Sequence, residues 1–542
     1  MRALTTAMRL LLFAPWLGVC GAVDAESCGL RAGVAQPVQA SKCRPHALRV
    51  LFVLNPIRAI TVGGTKQPLG MHGGWISVVN QALGLNQRGA CAMVAVSAWT
   101  VPSFEENFPA AAGGGVLLPY ADTARSSAQL AAALFPHAPA FDVMVATLFT
   151  TIEPIAAILA CRPTLQPAYF IQDYEADFDN LTPELYAKAV NSYTKMPGAL
   201  LFAKTHWLRS KVEEAHNVTV HAIRGSIDLS AFAGAREAHL RMQPSTEALA
   251  IGAAAQSASA PPRPLAAFGE ARSVRVVAMV RPSTPRRNPL GTLRVLRDLK
   301  DLNMPGGATR VIVETFGCSH AELRHLLKSP AVLPHWRLNA AAVLREHRGT
   351  LGREGIASLF AGSDVFLDMS KWQAFGRTGL EAMAAGVVPV LPIGSGSEEY
   401  ATDGFNSRLV NTSRIADAVG AVSAMVLDAG YLERMRSNAL DTVKKYDMAT
   451  ASLSTLAVIC EALDHNRRAS PSPGHRARPS PGHRALPSPD HLASPSPGHR
   501  TRPSPCRHDK HLDFAHERIF PGSTARQLRW TDIREQLAHS AY

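Results

Sequence analysis

Features that mark specialised classes of protein are scarce in this sequence. It has no CxxC pair, and its eight cysteines are scattered over 542 residues, which excludes a small disulfide-rich scaffold. Charged residues make up 18% and hydrophobic residues 46% of the chain, a balance typical of a globular protein rather than a disordered one. The length exceeds that of one ordinary core, so two domains with extensions are expected.

Concentrated basic charge is absent from most of the chain, although the formal net charge is +13. Residues 466–510 alone carry eight arginines and one lysine against two aspartates. The remainder is mildly basic, and it lacks the Lys/Arg stripe interleaved with aromatic residues that nucleic-acid binding favours. The composition therefore argues against a nucleic-acid partner.

The apolar run nearest to a membrane span lies at the N-terminus. Two arginines, an apolar run from Leu10 to Val23 and a small residue at Ala25 are typical of a secretory signal peptide at residues 1–25. The run is shorter than the roughly 20 residues that a spanning helix needs, so cleavage is favoured over an uncleaved anchor. No other transmembrane span is expected. The predicted location is the lumen of the secretory pathway (ER or Golgi) or outside the cell.

An oxidising compartment would bear on the cysteines and on glycosylation. Seven cysteines follow the predicted signal peptide, so at least one stays unpaired. Cys28 and Cys43 are the expected bridge, because both precede the first predicted strand. Glycosylation sequons occur at Asn180, Asn217 and Asn411.

Short apolar runs of the kind expected for buried strands alternate with helical stretches. In the first half they are LRVLFVL (48–54), AMVAVSAW (92–99), FDVMVATLF (141–149), AYFIQD (168–173) and ALLFAKT (199–205). The pattern restarts with VRVVAMV (274–280) and TRVIVETFG (309–317). Alternating strands and helices predict parallel sheets with helices on both faces.

The break in this rhythm sets the expected domain organisation. Residues 45–233 and 273–455 are predicted to form two doubly wound, Rossmann-like α/β domains that face each other across a cleft. The Ala/Ser/Pro-rich residues 234–272 between them are interpreted as a linker or insertion. A Pro-rich tail at 466–510 contains five copies of an octapeptide of the type RASPSPGH, whose prolines exclude helix and sheet and predict disorder or polyproline II.

Two marked stretches are expected where ligands bind in open parallel sheets, beyond the carboxyl ends of the strands. Gly73 and Gly74 precede the first predicted helix and would let backbone N–H groups approach a phosphate or sugar closely. Arg281 directly follows the strand 274–280, and Arg286 and Arg287 come shortly after it. Three guanidinium groups around one loop suit a diphosphate, because Arg presents a fixed fork of donors.

A third stretch, KWQAFGRTGLEAMAAGVVPVLP at 371–392, combines a loop, a helix start and one acid. The backbone of Gly376–Thr378 would direct the positive end of the helix dipole at the same anion. Glu381, one turn further on, could accept hydrogen bonds from a ribose diol.

These motifs together resemble retaining glycosyltransferases of the GT-B fold, family 4 type, over residues 45–455. The family pattern E-G-F-G-x4-E-A-M-A corresponds to QAFGRTGLEAMA from Gln373, and GSGSEEYATDGFNSRLV (394–410) is similar to the segment that follows it. GSIDLSAF (225–232) resembles the segment before the interdomain crossing. The combination of YFIQDYE with FGRTGLEAM most resembles a subgroup that contains bacterial rhamnosyltransferases.

The resemblance implies a sugar transfer from a nucleotide diphosphate-sugar to a glycan or other hydroxyl acceptor, without a metal or other cofactor. Arg281 and Arg286 fall where the family binds phosphate, Glu381 would hold the ribose, and Asp173 is the candidate acid near the reacting centre. Gln373 replaces the first acid of the family's E-x7-E pair; with the backbone around Phe375 it would contact the transferred sugar.

Three alternatives remain open at this point. The chain could be a non-catalytic carbohydrate-binding relative, with Gln373 and Gln172 as marks of lost chemistry. Asp177 and Asp179 form a D-x-D, the metal–nucleotide motif of another glycosyltransferase fold, but the chain has two α/β units rather than one. A phosphorylase is disfavoured, because no lysine is suited to a pyridoxal phosphate Schiff base.

Overall fold

The structure is a computed structural model that describes residues 47–56, 61–62, 65–66, 73–113, 115–179, 181–242, 272–300, 309–329 and 340–469. The predicted signal peptide, the Cys28–Cys43 bridge, the sequon residue Asn180 and the octapeptide repeats beyond Ala469 lie outside these residues. Residues 466–469 of the predicted Pro-rich tail belong to the last described helix, Met448–Ala469. Among the described cysteines, Cys318 is buried and free.

The N-terminal domain is built on one large sheet. Its strands are β1 (Arg49–Val53), β2 (Thr61–Val62), β3 (Thr65–Lys66), β4 (Cys91–Ser97), β5 (Leu117–Tyr120), β6 (Val143–Ala146), β7 (Gln166–Ile171), β8 (Leu200–Ala203) and β9 (Val220–Ala222). Seven of them form a parallel sheet in the order β5-β4-β1-β6-β7-β8-β9, whereas β2 and β3 pair with each other in antiparallel fashion.

Helices cover this sheet. They are α1 (Gly73–Gln87), α2 (Val101–Asn107), α3 (Ser127–Leu134), α4 (Ile152–Cys161), α5 (Pro183–Ser192) and α6 (His206–His216). Successive side chains of β1 alternate between two cores: Leu51 and Val53 pack on one face, Val50 and Phe52 on the other. Burial on both faces explains why the strand is a continuous apolar run rather than an alternating one.

The C-terminal domain repeats this plan with fewer strands. Its elements are α7 (Leu229–Met242), β10 (Arg272–Met279), α8 (Pro289–Lys300), β11 (Thr309–Phe316), α9 (His320–Leu327), α10 (Ala340–Arg345), α11 (Arg353–Ala361), β12 (Val365–Leu367), α12 (Arg377–Ala384), β13 (Val388–Pro392), β14 (Arg408–Val410), α13 (Ile415–Leu427) and α14 (Ala429–Val443). The last helix that the structure describes is α15 (Met448–Ala469). The five strands form a parallel sheet in the order β11-β10-β12-β13-β14.

Both strand orders reverse direction once, at β1 in the first sheet and at β10 in the second. This arrangement confirms the prediction of two doubly wound parallel sheets. In such sheets a crevice opens outside the carboxyl ends of the strands where the order reverses. The loops after β1, β10 and β12 therefore lie where a ligand is expected.

The chain crosses between the domains at two adjacent points. The backbone N–H of Ile227 donates to the carbonyl of Tyr446 at 2.9 Å. Beyond the first crossing, Phe232 of α7 is buried in the C-terminal domain, although the sequence-based boundary was placed at residue 233. The predicted linker also begins too early, because α7 continues through Met242.

The last helix, α15, returns to the N-terminal domain. Met448 and Ile459 are buried in the same core as β1 and α1, and Arg88 Nε donates to the carbonyl of Ala449 at 2.7 Å. The sequence interpretation had placed residues through 455 in the C-terminal domain, because nothing local to the helix reveals its remote partner.

No single helix among the described residues has both the length and the apolar character to cross a bilayer. The consecutive helical stretches Ile415–Leu427 and Ala429–Tyr446 meet those criteria only as a pair, bent by 103°.

The contact between α1 and α15 predicts the effect of one methyl group. A Cβ at Gly84 would lie 2.3 Å from the backbone carbonyl oxygen of Met448, which cannot rotate away. We expect Gly84→Ala to force the helices apart and to lower the free energy of unfolding by about 1–3 kcal/mol, measured by chemical denaturation of the full chain.

The matched control is Gly234→Ala in α7, where no atom lies within 4 Å of the added methyl group. This exposed helical site should become slightly more stable, by about 0.5–1 kcal/mol, since Ala is the better helix former. Equal stability of the Gly84→Ala variant and the unmodified chain would contradict the packing described.

Candidate functional site

Charged side chains converge between the two sheets because each follows a strand at its carboxyl end. Asp173 follows β7, Lys204 follows β8, Arg281 follows β10 and Asp368 follows β12. Gly73 and Gly74 begin α1, which faces the C-terminal domain: Arg377 Nε lies 3.8 Å from the position that a Cβ of Gly73 would occupy.

One ion pair bridges the cleft directly. Arg286 Nη1 lies 2.9 Å from Asp173 Oδ2, and both side chains are largely buried. Burial raises the pKa of Asp173, and the neighbouring Arg286 opposes that rise. The structure thus brings a predicted phosphate ligand and the predicted catalytic acid into contact.

An aromatic stack extends this bridge to the surface. The guanidinium of Arg286 lies 4.6 Å from the ring centre of Trp372, and Trp372 stacks on Trp207 of α6 with their ring centres 5.5 Å apart. Lys211 lies over both indoles and also pairs with Asp177. The first acid of the D-x-D is therefore engaged by a lysine.

No group of three or more metal-ligating side chains occurs in the part of the chain that the structure describes. Asp177 and Asp179 are both exposed.

The other predicted phosphate-binding arginines are also partly buried. Burial lowers the pKa of Arg287, which lies 3.9 Å from Asp368 Oδ2. Burial and the charge of Arg377 lower the pKa of Arg281, whose Nε has no hydrogen-bond partner among the described residues. The positive charges of Arg281 and Arg286 both act on Arg287, so the three guanidinium groups form one cluster.

Gln373 does not point freely into this cleft. Its side chain is 4% exposed, and its amide nitrogen donates to Asp368 Oδ2 at 2.6 Å and to Ser370 Oγ at 3.0 Å. Ser370 in turn donates to the other carboxylate oxygen of Asp368. The acid missing at position 373 is thus replaced by an amide that satisfies a buried carboxylate five residues earlier.

Phe375 is a packing residue of the domain interface. It is 4% exposed and lies against Tyr400 and Tyr446, in the C-terminal core. A Cβ at Gly225 would come within 2.5 Å of its ring, so the glycine admits the ring between the domains. Beside it, Thr205 Oγ1 donates to the carbonyl of Ala374 at 2.9 Å.

Gly376 supplies the turn into α12. Its φ of +74° is in the left-handed region that glycine tolerates, and the hydroxyl of Tyr400 donates to its carbonyl at 2.5 Å. Thr378 is half-buried in the first turn of the helix. The turn therefore holds the helix N-terminus at the edge of the sheet.

Glu381 is buried, and it is paired rather than isolated. Its Oε1 lies 2.6 Å from Arg377 Nη1, one helical turn earlier. Burial raises the pKa of Glu381, and the charges of Arg377 and Arg353 oppose this shift. Since Arg377 also faces Gly73, the carboxylate lies next to the cleft.

Gln172 lies directly against the glycine loop. A Cβ at Gly74 would lie 3.6 Å from both terminal atoms of the Gln172 amide, whose Oε1 is buried without a partner among the described residues. A Cβ at position 74 would therefore be in ordinary van der Waals contact with this amide.

Several residues of the site escaped the sequence analysis, namely Lys204, Asp368, Trp372 and Arg377. Their residue types and local sequence do not identify them as site residues, because a lone lysine or aspartate after a strand is usually solvated. The position of Arg377 between Gly376 and Glu381 was the one available indication.

Part of the C-terminal domain matches a known protein family. Residues 343–442, which include Gln373 to Glu381, match the family described as glycosyl transferases group 1. No curated protein sequence matches the chain.

Solved structures share the fold over most of the chain. HepE (Alr3699) of Anabaena in complex with UDP and glucose is 15% identical, with a TM-score of 0.53 over 76% of this chain and all of that one. Sucrose-phosphate synthase of Thermosynechococcus elongatus is 11% identical, with a TM-score of 0.52 over 78% of this chain and all of that one. These likenesses confirm the predicted GT-B fold.

The contact between Gln373 and Asp368 generates a prediction. In Gln373→Glu, two carboxylates would meet in a buried site, so the pKa of the new acid would be raised. The unfolded chain ionises this acid near its ordinary value of about 4.3, and the penalty should therefore be small at pH 4–5 and grow to about 1–3 kcal/mol by pH 8. Thermal unfolding across this pH range measures it.

Gln87→Glu, at an exposed position of α1, controls for the added charge and should unfold at nearly the same temperature as the unmodified chain at every pH. A Gln373→Glu variant whose stability does not depend on pH in this way would contradict the buried contact with Asp368.

Proposed function

We propose that this GT-B chain, with its group 1 glycosyltransferase domain at residues 343–442, transfers a sugar from a nucleotide diphosphate-sugar to a hydroxyl acceptor with retention of configuration. The donor would bind mainly to the C-terminal domain, and a glycan or glycoconjugate acceptor would lie against the N-terminal domain near Gly73 and Gly74. We also propose that the chain is of the family 4 type and belongs to the subgroup that contains bacterial rhamnosyltransferases.

An excess of buried positive charge carries the proposal. Four guanidinium groups face three acids between the carboxyl ends of the two sheets: Arg281, Arg286, Arg287 and Arg377 against Asp173, Asp368 and Glu381. Burying an uncompensated cation is costly, so the arrangement favours an anion that completes the balance. A diphosphate bears the charge and the acceptor oxygens that guanidinium forks fit.

The chemistry assigned to the chain is electrostatic. Arg281, Arg286 and Arg287 would neutralise the diphosphate as it leaves, together with the unpaired N–H groups at the start of α12. Arg286 would then exchange Asp173 for phosphate, which frees the carboxylate beside the reacting sugar. Leaving and attack would occur on the same face, and the charged side chains supply the function of a metal.

Glu381 is the proposed ribose ligand. A carboxylate offers about four acceptor sites, so its pairing with Arg377 leaves capacity for a diol. Gln373, with the backbone around Phe375 and Gly376 and with Thr378, would line the sugar and phosphate side of the pocket.

A lumenal or extracellular location remains part of the proposal. Cys91, Cys161 and Cys460 are disulfide-bonded, and disulfides persist in oxidising compartments. The N-terminal signal pattern supports the same location.

The direct test incubates the purified full-length chain with a panel of nucleotide-sugars and candidate glycan acceptors. Release of nucleotide diphosphate that depends on an acceptor supports transfer, and NMR of the product identifies the anomer. Binding without release would favour the carbohydrate-binding alternative, for which the engagement of Gln373 by Asp368 is the favouring observation. If no nucleotide-sugar binds and no nucleotide diphosphate is released, both the glycosyltransferase and the carbohydrate-binding function are rejected.

Glu381→Gln should weaken donor use without altering the shape of the site. Loss of charge-assisted hydrogen bonds worth about 1.5–3 kcal/mol predicts a rise of roughly 10- to 100-fold in donor KM or an equivalent loss of kcat/KM. The acceptor KM should change little. Unaltered donor kinetics would remove the ribose assignment.

Glu354→Gln is the matched control, since this glutamate lies in the first turn of another C-terminal helix, α11, and is exposed. It should have the donor kinetics of the unmodified chain. Thermal unfolding of both variants shows whether a loss of activity reflects a loss of structure.

A further inference from the structure

Lys204 is a buried amine at the junction of the two domains. Its side chain is 5% exposed, and Nζ donates to Ser77 Oγ at 3.1 Å. Two aromatic ring centres lie close to Nζ: that of Phe170, from the N-terminal sheet, at 5.6 Å, and that of Phe375, from the C-terminal domain, at 5.5 Å. The amine is thus enclosed by α1 and by an aromatic ring from each domain.

Its polar contacts are too few for a buried ammonium ion. An ammonium group has three donors, and Ser77 is the one hydrogen-bond partner of Nζ among the described residues. No carboxylate in the described part of the chain lies within 4 Å of it. A cation in this setting lacks compensation, so these surroundings favour the neutral amine.

Two charged groups act on Lys204 from the elements packed around it. Burial lowers the pKa of Lys204 to about 7, Asp173 beyond β7 raises it, and Arg377 in α12 lowers it further. The amine therefore lies within the field of the cluster proposed to bind diphosphate. Ser77 lies one helical turn from Gly73, which itself faces Arg377.

We infer that Lys204 is a further ionisable member of the donor site, and that it takes up one proton from solvent when a nucleotide diphosphate-sugar binds. This inference rests on the proposed function, because it requires the anion to enter the cleft. The lone pair of Nζ accepts the proton, and no other bond forms or breaks. The resulting ammonium adds one positive charge, which the neutral amine of Lys204 lacks.

The sign of the effect follows from electrostatics. An anion near Arg377 cancels the repulsion that Arg377 exerts on Lys204 and adds attraction, so the proton affinity of Nζ rises. Above pH 7 the bound state then holds more protons than the free state. Donor affinity should fall as pH rises, approaching about tenfold per pH unit where a whole proton is taken up.

Two other buried acids could also change their protonation. Burial raises the pKa of Glu175, which accepts from Tyr169, to about 8, and burial raises that of Asp173 as well. A variant that removes the Lys204 amine and retains both acids separates their contributions from that of the lysine.

The experiment is isothermal titration of the full chain with UDP-glucose at pH 8, in buffers of different ionisation enthalpy. UDP-glucose is the probe because its diphosphate is esterified at both ends and does not titrate near neutral pH. The slope of the binding enthalpy against the buffer's ionisation enthalpy gives the protons taken up. We expect about 0.5–1 proton per UDP-glucose bound.

Three variants make the assignment specific. Lys204→Met keeps the length of the side chain without the amine, and Lys204→Arg stays charged throughout, so both should bind UDP-glucose with proton uptake near zero. Lys188→Met, at an exposed lysine of α5, should take up protons as the unmodified chain does. Thermal unfolding confirms that each variant is folded.

The possible outcomes are distinguishable. UDP-glucose binding without proton uptake, or uptake that persists in Lys204→Met, would overturn this inference and leave the proposed function standing. If UDP-glucose, GDP-mannose and dTDP-rhamnose all fail to bind, both this inference and the proposed function are overturned.

Discussion

The need to compensate buried guanidinium groups governs the arrangement of this protein's cleft. Arg286 is balanced by Asp173, Arg287 by Asp368 and Arg377 by Glu381, while Arg281 keeps an unpartnered Nε. The first two pairs fix loops at the carboxyl ends of strands, and the Arg286–Asp173 pair joins the domains; the third pair lies within α12. Because the compensation is incomplete, the same groups that hold the loops in place create a demand for an external anion.

Contacts between uncharged groups also join the two domains. Gly225 admits the ring of Phe375, and Thr205 holds the carbonyl of Ala374. Behind the cleft, the chain crosses between the domains at Ile227 and Tyr446, and α15 then packs against α1. The crossing and the interface thus combine short-range steric fits with neutral hydrogen bonds, whereas the cluster of charges lies between the carboxyl ends of the two sheets.

The sequence was most informative where one local pattern determined the outcome. Continuous apolar runs predicted β1 and its neighbours because burial on both faces leaves no polar position. The binding roles of the glycines at 73, 74 and 376 and of the arginines after β10 stay predictions. Contacts between distant segments could not be read. No local pattern shows that Gln373 donates to Asp368, that the ring of Phe375 packs between the domains or that Lys204 is buried. The packing of α15 likewise depends on a partner far away in the chain.

The stacked indoles of Trp207 and Trp372 have a consequence for observing the molecule. One belongs to the N-terminal domain and the other to the C-terminal domain, and their ring centres lie 5.5 Å apart. At this spacing two chromophores couple excitonically, and the coupling gives a paired circular dichroism band that vanishes when the rings separate. Any motion that parts the domains at this edge must separate them, so the chain contains its own optical reporter of domain opening.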